Sequence, residues 1–329
     1  MIKTFNTLLT VTALVLMTHV TPAAVAEVPA MRFGVDIGSV RQFESHGVQL
    51  SYGVLWVGSW IQKYGWAAVE AKLVEARRLG VTPVINWWYW GDDISPACVE
   101  HGCDDALQHV HKDKATWFRL SHELADLIAR VNPGSGAIVV LEIEFNKHGI
   151  ETYEPFDQLM VEQAQMFHQH PNVSVAIGFG NWGREHWGRF ARTVAACDVL
   201  GTELLQSSVR DAATYLKSVD TLVDGAQELQ RRFHKPSLVI DLALSSYPEP
   251  AYAANQAAVI KELFARMPEL RAANVQGLIW RQLNDDPAFD ISNYHGVAER
   301  SWGLLHPDGT PKPAFQLFLD GIRAQATHS

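Results

Sequence analysis

Short apolar runs rich in β-branched residues alternate with amphipathic helical runs from Met31 to the end of the chain. In the helical runs, apolar residues recur at three and four positions, the period of a helix with one buried face. The strand-like runs lie near residues 32–38, 51–58, 81–90, 137–146, 172–180, 199–206, 237–245 and 275–283. No linker or change of composition interrupts this alternation, which predicts a single α/β domain with a parallel sheet. Eight such units fit a (β/α)8 TIM barrel better than a doubly wound sheet of five or six strands.

The fourth strand-like run, AIVVLEIEFN at residues 137–146, carries polar side chains at Glu142, Glu144 and Asn146. Side chains on a strand alternate between its two faces, so these three are expected on one face. The other face is predicted to hold the apolar residues Val139, Leu141, Ile143 and Phe145. Strands of a parallel sheet are normally apolar on both faces, and buried carboxylates are costly. The pattern indicates a functional site, with a structural salt bridge to a neighbouring strand as the alternative.

The first 26 residues have the pattern of a targeting segment rather than of the barrel. Lys3 precedes an apolar run from Leu8 to Met17, and Ala24-Val25-Ala26 matches the small-residue rule for signal-peptide cleavage. We therefore predict a signal peptide at 1–26, a catalytic barrel at 27–329, and a periplasmic or secreted product. No later apolar run is long enough to span a bilayer, so no membrane contact is expected after cleavage.

Charge and composition narrow the classes of partner. The formal net charge is -9 without a basic stripe, which argues against nucleic acid, because phosphate neutralisation supplies most of that affinity. Gly178, Gly180 and Gly183, with Glu203 twenty residues later, formally match a dinucleotide-binding fingerprint. This motif follows the fifth strand rather than the first, so we expect no cofactor. The chain is expected to act as a monomer.

The three cysteines predict one small disulfide. Cys98 and Cys103 lie close together in the polar segment CVEHGC and can staple a loop in an oxidising compartment, which leaves Cys197 as a buried free thiol. Zinc requires more ligands than this segment offers, since His101 is the only nearby candidate. No metal is therefore expected.

Polar and aromatic residues gather at the predicted C-terminal ends of the strands, where barrel enzymes build their active sites. In chain order, the candidates for substrate binding are Asp36, Trp56, Asn86, Trp88, Trp90, Glu142, Asn146, Asn181, Trp182, Glu203, Gln206, Trp280, Arg281 and Gln282. Eleven tryptophans occur in the chain, most of them near these ends. Indoles stack on the C–H face of a sugar ring while amides and carboxylates bind its hydroxyls, so this mixture predicts a carbohydrate substrate.

The C-terminal third resembles a known family. The run NVQGLIWRQLNDDP followed by WGLLHPDGTPKPAF is similar to the end of clan A glycoside hydrolases, the (β/α)8 retaining enzymes of the cellulase and galactanase type. Further similarity lies in HKP before the strand LVIDLALSS, and in CDVLGTELLQ at the place of the family's sixth strand. The resemblance implies an acid/base ending strand 4 and a nucleophile ending strand 7. Carried over by position, these are Glu144 and Asp241.

The chain departs from the family pattern at two positions. Ile143 stands where the family has Asn before the acid/base, and Asp241 is one methylene shorter than the family's Glu. Asp241 is therefore open to three roles: a nucleophile, a group that assists a water, or a group that positions substrate while Glu203 or Glu142 supplies the second carboxylate. Arg281 is expected to pair with Asp241 and keep it ionised, and the neighbouring Glu142 favours a protonated Glu144.

Other mechanisms and classes remain open from the sequence alone. The spaced acids Glu142 and Glu144 are also similar to the stepped acidic motif of chitinase-like barrels, in which the substrate's acetamido group is the nucleophile. A carbohydrate-binding barrel without catalysis is a second alternative. A polysaccharide lyase, with Tyr89, His148 or Arg281 in its cleft, is a third.

Overall fold

The computed structural model describes residues 30–89, 103–132, 134, 136–144, 146, 154–207, 212–289 and 296–326. Eight parallel strands close into a barrel in chain order, and β8 pairs with β1. The strands are β1 Arg32–Asp36, β2 Tyr52–Gly58, β3 Thr82–Trp88, β4 Ala137–Leu141, β5 Val173–Phe179, β6 Val199–Gln206, β7 Ser237–Leu244 and β8 Val275–Trp280. The predicted (β/α)8 TIM barrel is confirmed. The predicted signal peptide lies outside the described residues.

Helices surround the barrel. They are α1 Val40–Ser45, α2 Ile61–Tyr64, α3 Ala67–Leu79, α4 Cys103–Val131, α5 Glu154–Phe167, α6 Ala191–Ala196, α7 Ala212–Leu216, α8 Ser218–Phe233, α9 Ala251–Ala265, α10 Met267–Ala272 and α11 Pro313–Ala326. Short 3-10 helices lie at Ile37–Ser39, Arg184–Phe190 and Gly296–Ser301. Among the described residues, no helix has the length and apolar character needed to cross a membrane.

The core has two layers because strand side chains alternate between the barrel interior and the surrounding helices. The interior layer comprises Tyr52, Val54, Val84, Val140, Ile143, Ala176, Val199, Leu238, Ile240 and Ile279. Trp56 and Trp88 pack on this layer from the C-terminal side. The outer layer is larger and joins the strands to the helices. The interior layer fills the barrel and forms the floor beneath the C-terminal mouth.

Strand β7 contains one extra residue at its centre. Thr202 of β6 pairs with Val239, but the next residue, Glu203, pairs with Asp241, so Ile240 is passed over. The β8 side shows the same irregularity between Val239 and Leu242. Ile240 belongs to the interior layer while Leu242 belongs to the outer layer, so the alternation changes phase between them. This bulge places Asp241 beside Ile240 on the inner side of the strand.

Strand β4 ends earlier than the sequence predicts. It stops at Leu141 rather than continuing to residue 146, and Glu142 and Glu144 have positive φ angles of 39° and 60°. Ile143 packs in the interior layer together with Val140, so strict alternation is lost at Glu142. The expectation that Glu142 and Glu144 share one strand face opposite Ile143 was therefore wrong. These left-handed conformations are unfavourable for non-glycine residues, and they occur where the candidate acid lies.

The disulfide expectation stays a prediction, because Cys98 lies outside the described residues and nothing is described of the Cys103 side chain at the start of α4. Cys197 is a buried free thiol. We expect thiol titration of the denatured, unreduced protein to find one free cysteine, and of the reduced protein three. Closing so small a loop contributes about 2 kcal/mol by the chain-entropy estimate. Three thiols before reduction would contradict the bridge.

Candidate active site

Three carboxylates from different strands meet at the C-terminal mouth. Glu203 of β6 and Asp241 of β7 are paired residues on adjacent strands, and both are fully buried. Glu144 follows β4 and is half-buried. Its negative charge raises the pKa of Asp241, so the two residues lie within electrostatic range of each other. The mouth thus brings together the two acids that the resemblance singles out.

Arg281, directly after β8, holds Asp241 in place. Its Nη1 donates a hydrogen bond to Asp241 Oδ2. The guanidinium carbon lies 5.0 Å from the ring centroid of Trp56 and 4.9 Å from that of Trp302, so two indoles pack around it. The side chain is only 19% exposed. Among described residues, Asp241 is the sole hydrogen-bond acceptor for this guanidinium.

Burial dominates the electrostatics of Asp241. Loss of water raises the pKa of the Asp241 carboxyl to about 6, Arg281 opposes this shift, and the Glu144 charge reinforces it. The expected pairing with Arg281 is therefore present, but it does not outweigh burial. Asp241 is positioned to change its charge near neutral pH.

Glu142 contacts the end of β3 through two hydrogen bonds. Its Oε1 accepts a hydrogen bond of 3.0 Å from the Tyr89 backbone, and its own N–H donates to the Trp87 carbonyl at 2.9 Å. The Tyr89 hydroxyl in turn donates a hydrogen bond to Asp113 and accepts one from the Gln62 amide. Burial, chiefly, together with the Asp113 hydrogen bond raises the pKa of Tyr89 well above its usual range. The Tyr89 hydroxyl therefore keeps its proton at neutral pH and does not serve as a general base.

The aromatic side chains at the end of β3 point in two directions. Trp87 and Tyr89 are buried in the outer layer, where Trp87 donates to Ser121 of α4. Trp88 faces inward and meets Trp56 edge to face at 5.5 Å. Trp90 lies outside the described residues. Trp56 and Trp88 therefore form an aromatic wall on the β2–β3 side of the mouth.

Asn146 organises the rim instead of facing it. Its amide donates to the carbonyls of Gly180 and Trp182 at 3.1 and 2.8 Å and accepts from the Gly180 N–H at 2.6 Å. The side chain of Asn181 turns toward α8, where it donates to the Thr221 carbonyl and accepts from Arg184. This placement corrects the expectation that both amides face a substrate. Trp182 is 42% exposed.

Two other sequence candidates turn away from the mouth. Trp280 is buried in the outer layer and donates to the Trp302 carbonyl at 3.1 Å. Gln206 follows the phase of Leu204 and pairs with Leu244, both of which pack outward. These placements correct the sequence expectation, because residue type alone does not show which strand face a residue occupies. Asp36 ends β1 and accepts from the Ser39 N–H, and its role in substrate binding stays a prediction.

Two amide candidates remain beside the mouth. Asn86 pairs with Trp56 across β2 and β3 and is fully buried, and its amide makes no hydrogen bond within the part of the chain that the structure describes. Gln282 follows Arg281 and is partly buried. A buried amide without partners is costly, which marks Asn86 as a group able to bind a ligand or a water.

The structure adds Trp302 to the site. This residue belongs to the WGLL motif and was not among the predicted site residues. Lys312 of the same C-terminal motif is fully buried and donates to Asp285 at 2.6 Å, to Ser246 at 2.8 Å and to the Gly303 carbonyl at 3.0 Å. Asp285 also accepts from the Gly303 N–H. The motif therefore fixes the turn that presses Trp302 onto Arg281. The sequence signal that could have identified Trp302 is its place beside Gly303 at the start of that motif.

One carboxylate and histidine cluster has metal-like spacing but already contains a cation. Ligand atoms of Glu249, Asp285 and His306 lie within 4.8 Å of one another. Lys312 Nζ lies 2.6 Å from Asp285 and 3.5 Å from Glu249, and its positive charge balances the acids.

No protein-family model matches the chain, and no curated protein sequence matches it. Solved structures do. The exo-β-1,4-mannosidase from Opitutaceae bacterium strain TAV5 superposes with a TM-score of 0.64 at 14% identity, over 91% of this chain and 60% of that one. The endo-β-1,4-mannanase from Thermotoga petrophila gives 0.62 at 12% identity, covering 92% and 78%. A structure of two fungal β-1,4-galactanases gives 0.55 at 15% identity, covering 88% and 99%.

These likenesses establish a shared architecture. The class is the (β/α)8 barrel that glycoside hydrolases of the mannanase and galactanase type use. The present chain spans 60% of the length of the exo-mannosidase.

Proposed function

We propose that this protein is an exported glycoside hydrolase in which Glu144 is the acid/base and Asp241 is the second carboxylate. The observation that carries the proposal is the pairing of a half-buried Glu144 with a buried Asp241 that a bulge turns inward and Arg281 holds. Two carboxyl groups on opposite sides of a glycosidic bond are what its hydrolysis requires. The aromatic wall of Trp56 and Trp88 supplies apolar surface for a sugar ring. The segment 1–26 supports export.

The reaction follows from the charge states of the two acids. Protonated Glu144 donates its proton to the departing glycosidic oxygen while ionised Asp241 attacks the anomeric carbon, and the C–O bond to the leaving sugar breaks. Deprotonated Glu144 then removes a proton from a water that displaces Asp241. Arg281 stabilises the Asp241 carboxylate before attack and when it is released. Glu203 lies beside Asp241 on the adjacent strand.

Within the described part of the mouth, three carboxyl groups accompany one guanidinium, that of Arg281, so this part offers no excess of positive charge for a uronate. A lyase requires an excess of positive charge to neutralise a uronate. Of its candidate residues, Tyr89 is buried in the outer layer, Arg281 pairs with Asp241, and His148 lies outside the described residues. A chitinase-like mechanism does not need a carboxylate on β7, whereas here Asp241 has its own arginine and its own backbone bulge.

The deciding experiment is a glycan screen with an active-site variant. Purified protein is incubated with β-mannan, β-galactan, xylan, cellulose, chitin and microbial exopolysaccharides, and both reducing ends and unsaturated products are measured. We expect reducing ends without unsaturated products, and we expect them to disappear in Glu144→Gln. Unsaturated products would establish a lyase. Binding without cleavage would establish a carbohydrate-binding barrel.

The raised pKa of Asp241 predicts an acidic limit to activity. Asp241 must be ionised to attack, so kcat/KM is expected to fall as the pH falls through about 6. Arg281→Met removes the charge that opposes the shift and is expected to move this limb to higher pH.

The stability of the protein depends on the protonation of Asp241 in the opposite direction to the activity. The folded state binds this proton more tightly than the unfolded state, so the contribution of Asp241 to the unfolding free energy decreases from about pH 4 to about pH 6. A pH–rate profile with no limb near 6 would contradict the role of Asp241.

A further inference from the structure

The loop after β5 is held rigidly at each of its residues. Asn146 makes three hydrogen bonds to the backbone of Gly180 and Trp182. Asn181 is fixed against α8 through the Thr221 carbonyl and Arg184. The Trp182 ring rests directly on Gly180, where an added Cβ would lie 2.2 Å from its Cζ2 atom. Glycine is therefore required at 180 so that the indole can pack against the backbone.

The rigid loop presents a large apolar group to solvent. Trp182 is 42% exposed, although exposed indole surface is unfavourable in water. Hydrogen bonds hold its backbone and a glycine supports its ring, so little conformational entropy is lost when a ligand covers the ring. Such preorganisation is what a binding surface requires.

The position of Trp182 determines which sugar it can reach. Asn146, which holds the Trp182 backbone, follows Glu144 by two residues. Asp241, Arg281, Trp56 and Trp302 lie on the β7, β8 and β2 side, whereas β5 lies on the other side of the closed ring. The acid must stand beside the leaving oxygen, and the loop that carries Trp182 is tied to the segment that follows this acid. We propose that Trp182 is the stacking platform for the sugar on the leaving-group side of the cleaved bond. This assignment rests on the proposed glycosidase function.

Substrates with and without a leaving sugar test the platform. The probes are β-1,4-linked pentasaccharides of mannose, galactose and xylose, and the matching β-glycosyl fluorides, whose leaving group has no ring. Trp182→Ala is expected to lower kcat/KM for the pentasaccharide that is cleaved about tenfold, the size of one lost stacking contact. The fluoride rate is expected to change less than about twofold. Gly180→Ala should reproduce the loss because its Cβ displaces the ring.

Controls separate this proposal from the hydrolase proposal. Trp60→Ala removes a similarly exposed indole, 39% exposed and after β2, and should leave both rates unchanged. Thermal melting reports whether each variant folds. Equal losses on pentasaccharide and fluoride, or no loss, would overturn the platform. If the protein hydrolyses none of these substrates, calorimetry measures the binding of the pentasaccharides to Glu144→Gln with and without Trp182→Ala. Weakened binding without hydrolysis would keep Trp182 as a sugar-binding residue but overturn both the hydrolase and the leaving-group assignment, and unchanged or absent binding would overturn Trp182 as a sugar-binding residue as well.

Discussion

Replacing Glu144 with glutamine is expected to lower turnover about 10²- to 10⁴-fold, because the amide has nearly the same shape but cannot supply an acidic proton. The loss should depend on the leaving group. A natural sugar leaves as a poor, basic alkoxide and needs the proton, whereas a fluoride or a dinitrophenolate leaves with little help. We therefore expect the variant to retain most of its activity on activated substrates. Steady-state rates on both substrate types measure this difference.

Glu142→Gln tests the competing assignment. Glu142 accepts a hydrogen bond from the Tyr89 backbone, and a glutamine carbonyl can accept the same bond, so folding should be preserved. We expect a smaller rate loss than in Glu144→Gln and no dependence on the leaving group. A larger, leaving-group-dependent loss in Glu142→Gln would transfer the acid role to Glu142.

Replacing Asp241 with alanine is expected to lower turnover by about 10³-fold or more, because the attacking carboxylate is lost. Added azide should restore part of the rate and give a glycosyl azide of inverted configuration, since the small anion enters the space that the carboxylate leaves. The variant also leaves the charge of Arg281 buried without its partner, which costs stability. Asp241→Asn keeps a neutral acceptor and serves as the matched control for unfolding.

The stereochemistry of the wild-type reaction tests the same residue. A nucleophile must lie about 5 to 5.5 Å from the acid, whereas a separation of about 6.5 Å or more leaves room for a water and gives inversion. The shorter Asp side chain increases the separation, but the β7 bulge turns Asp241 inward and reduces it. We therefore expect retention. Proton NMR of the first-formed anomer reports the outcome, and an inverted product would make Asp241 a general base.

Hydrophobic periodicity was sufficient to predict the architecture of this protein. Eight strands that alternate with helical runs favour a closed barrel, because each amphipathic helix can cover a neighbouring pair of strands and no linker interrupts the order. The mouth was predictable for the same reason, since residues that end parallel strands meet at one edge. Glu144, Asp241 and Arg281 all lie there. The sequence resemblance, rather than periodicity, distinguished the two acids from the other polar residues of the rim.

The side-chain directions were not predictable, because each depends on a local backbone event. Positive φ at Glu142 ends the alternation of β4, and one added residue in β7 reverses the phase before Leu242. Trp280 has the residue type of a sugar-binding group, yet the phase of β8 buries it against α11. Asn146 was recognised as important, but its three backbone hydrogen bonds form with a loop 34 residues away in sequence.

The extra residue in β7 also restricts how this barrel could exchange aspartate for glutamate during evolution. On the bulged strand, a glutamate at 241 would extend one methylene further into the space in front of Glu144. If Ile240 and Asp241 alternated as on a regular strand, either acid at 241 would point toward the outer layer. The bulge is therefore needed for an acid of either length, and an exchange of aspartate for glutamate is compatible only with a strand that keeps it.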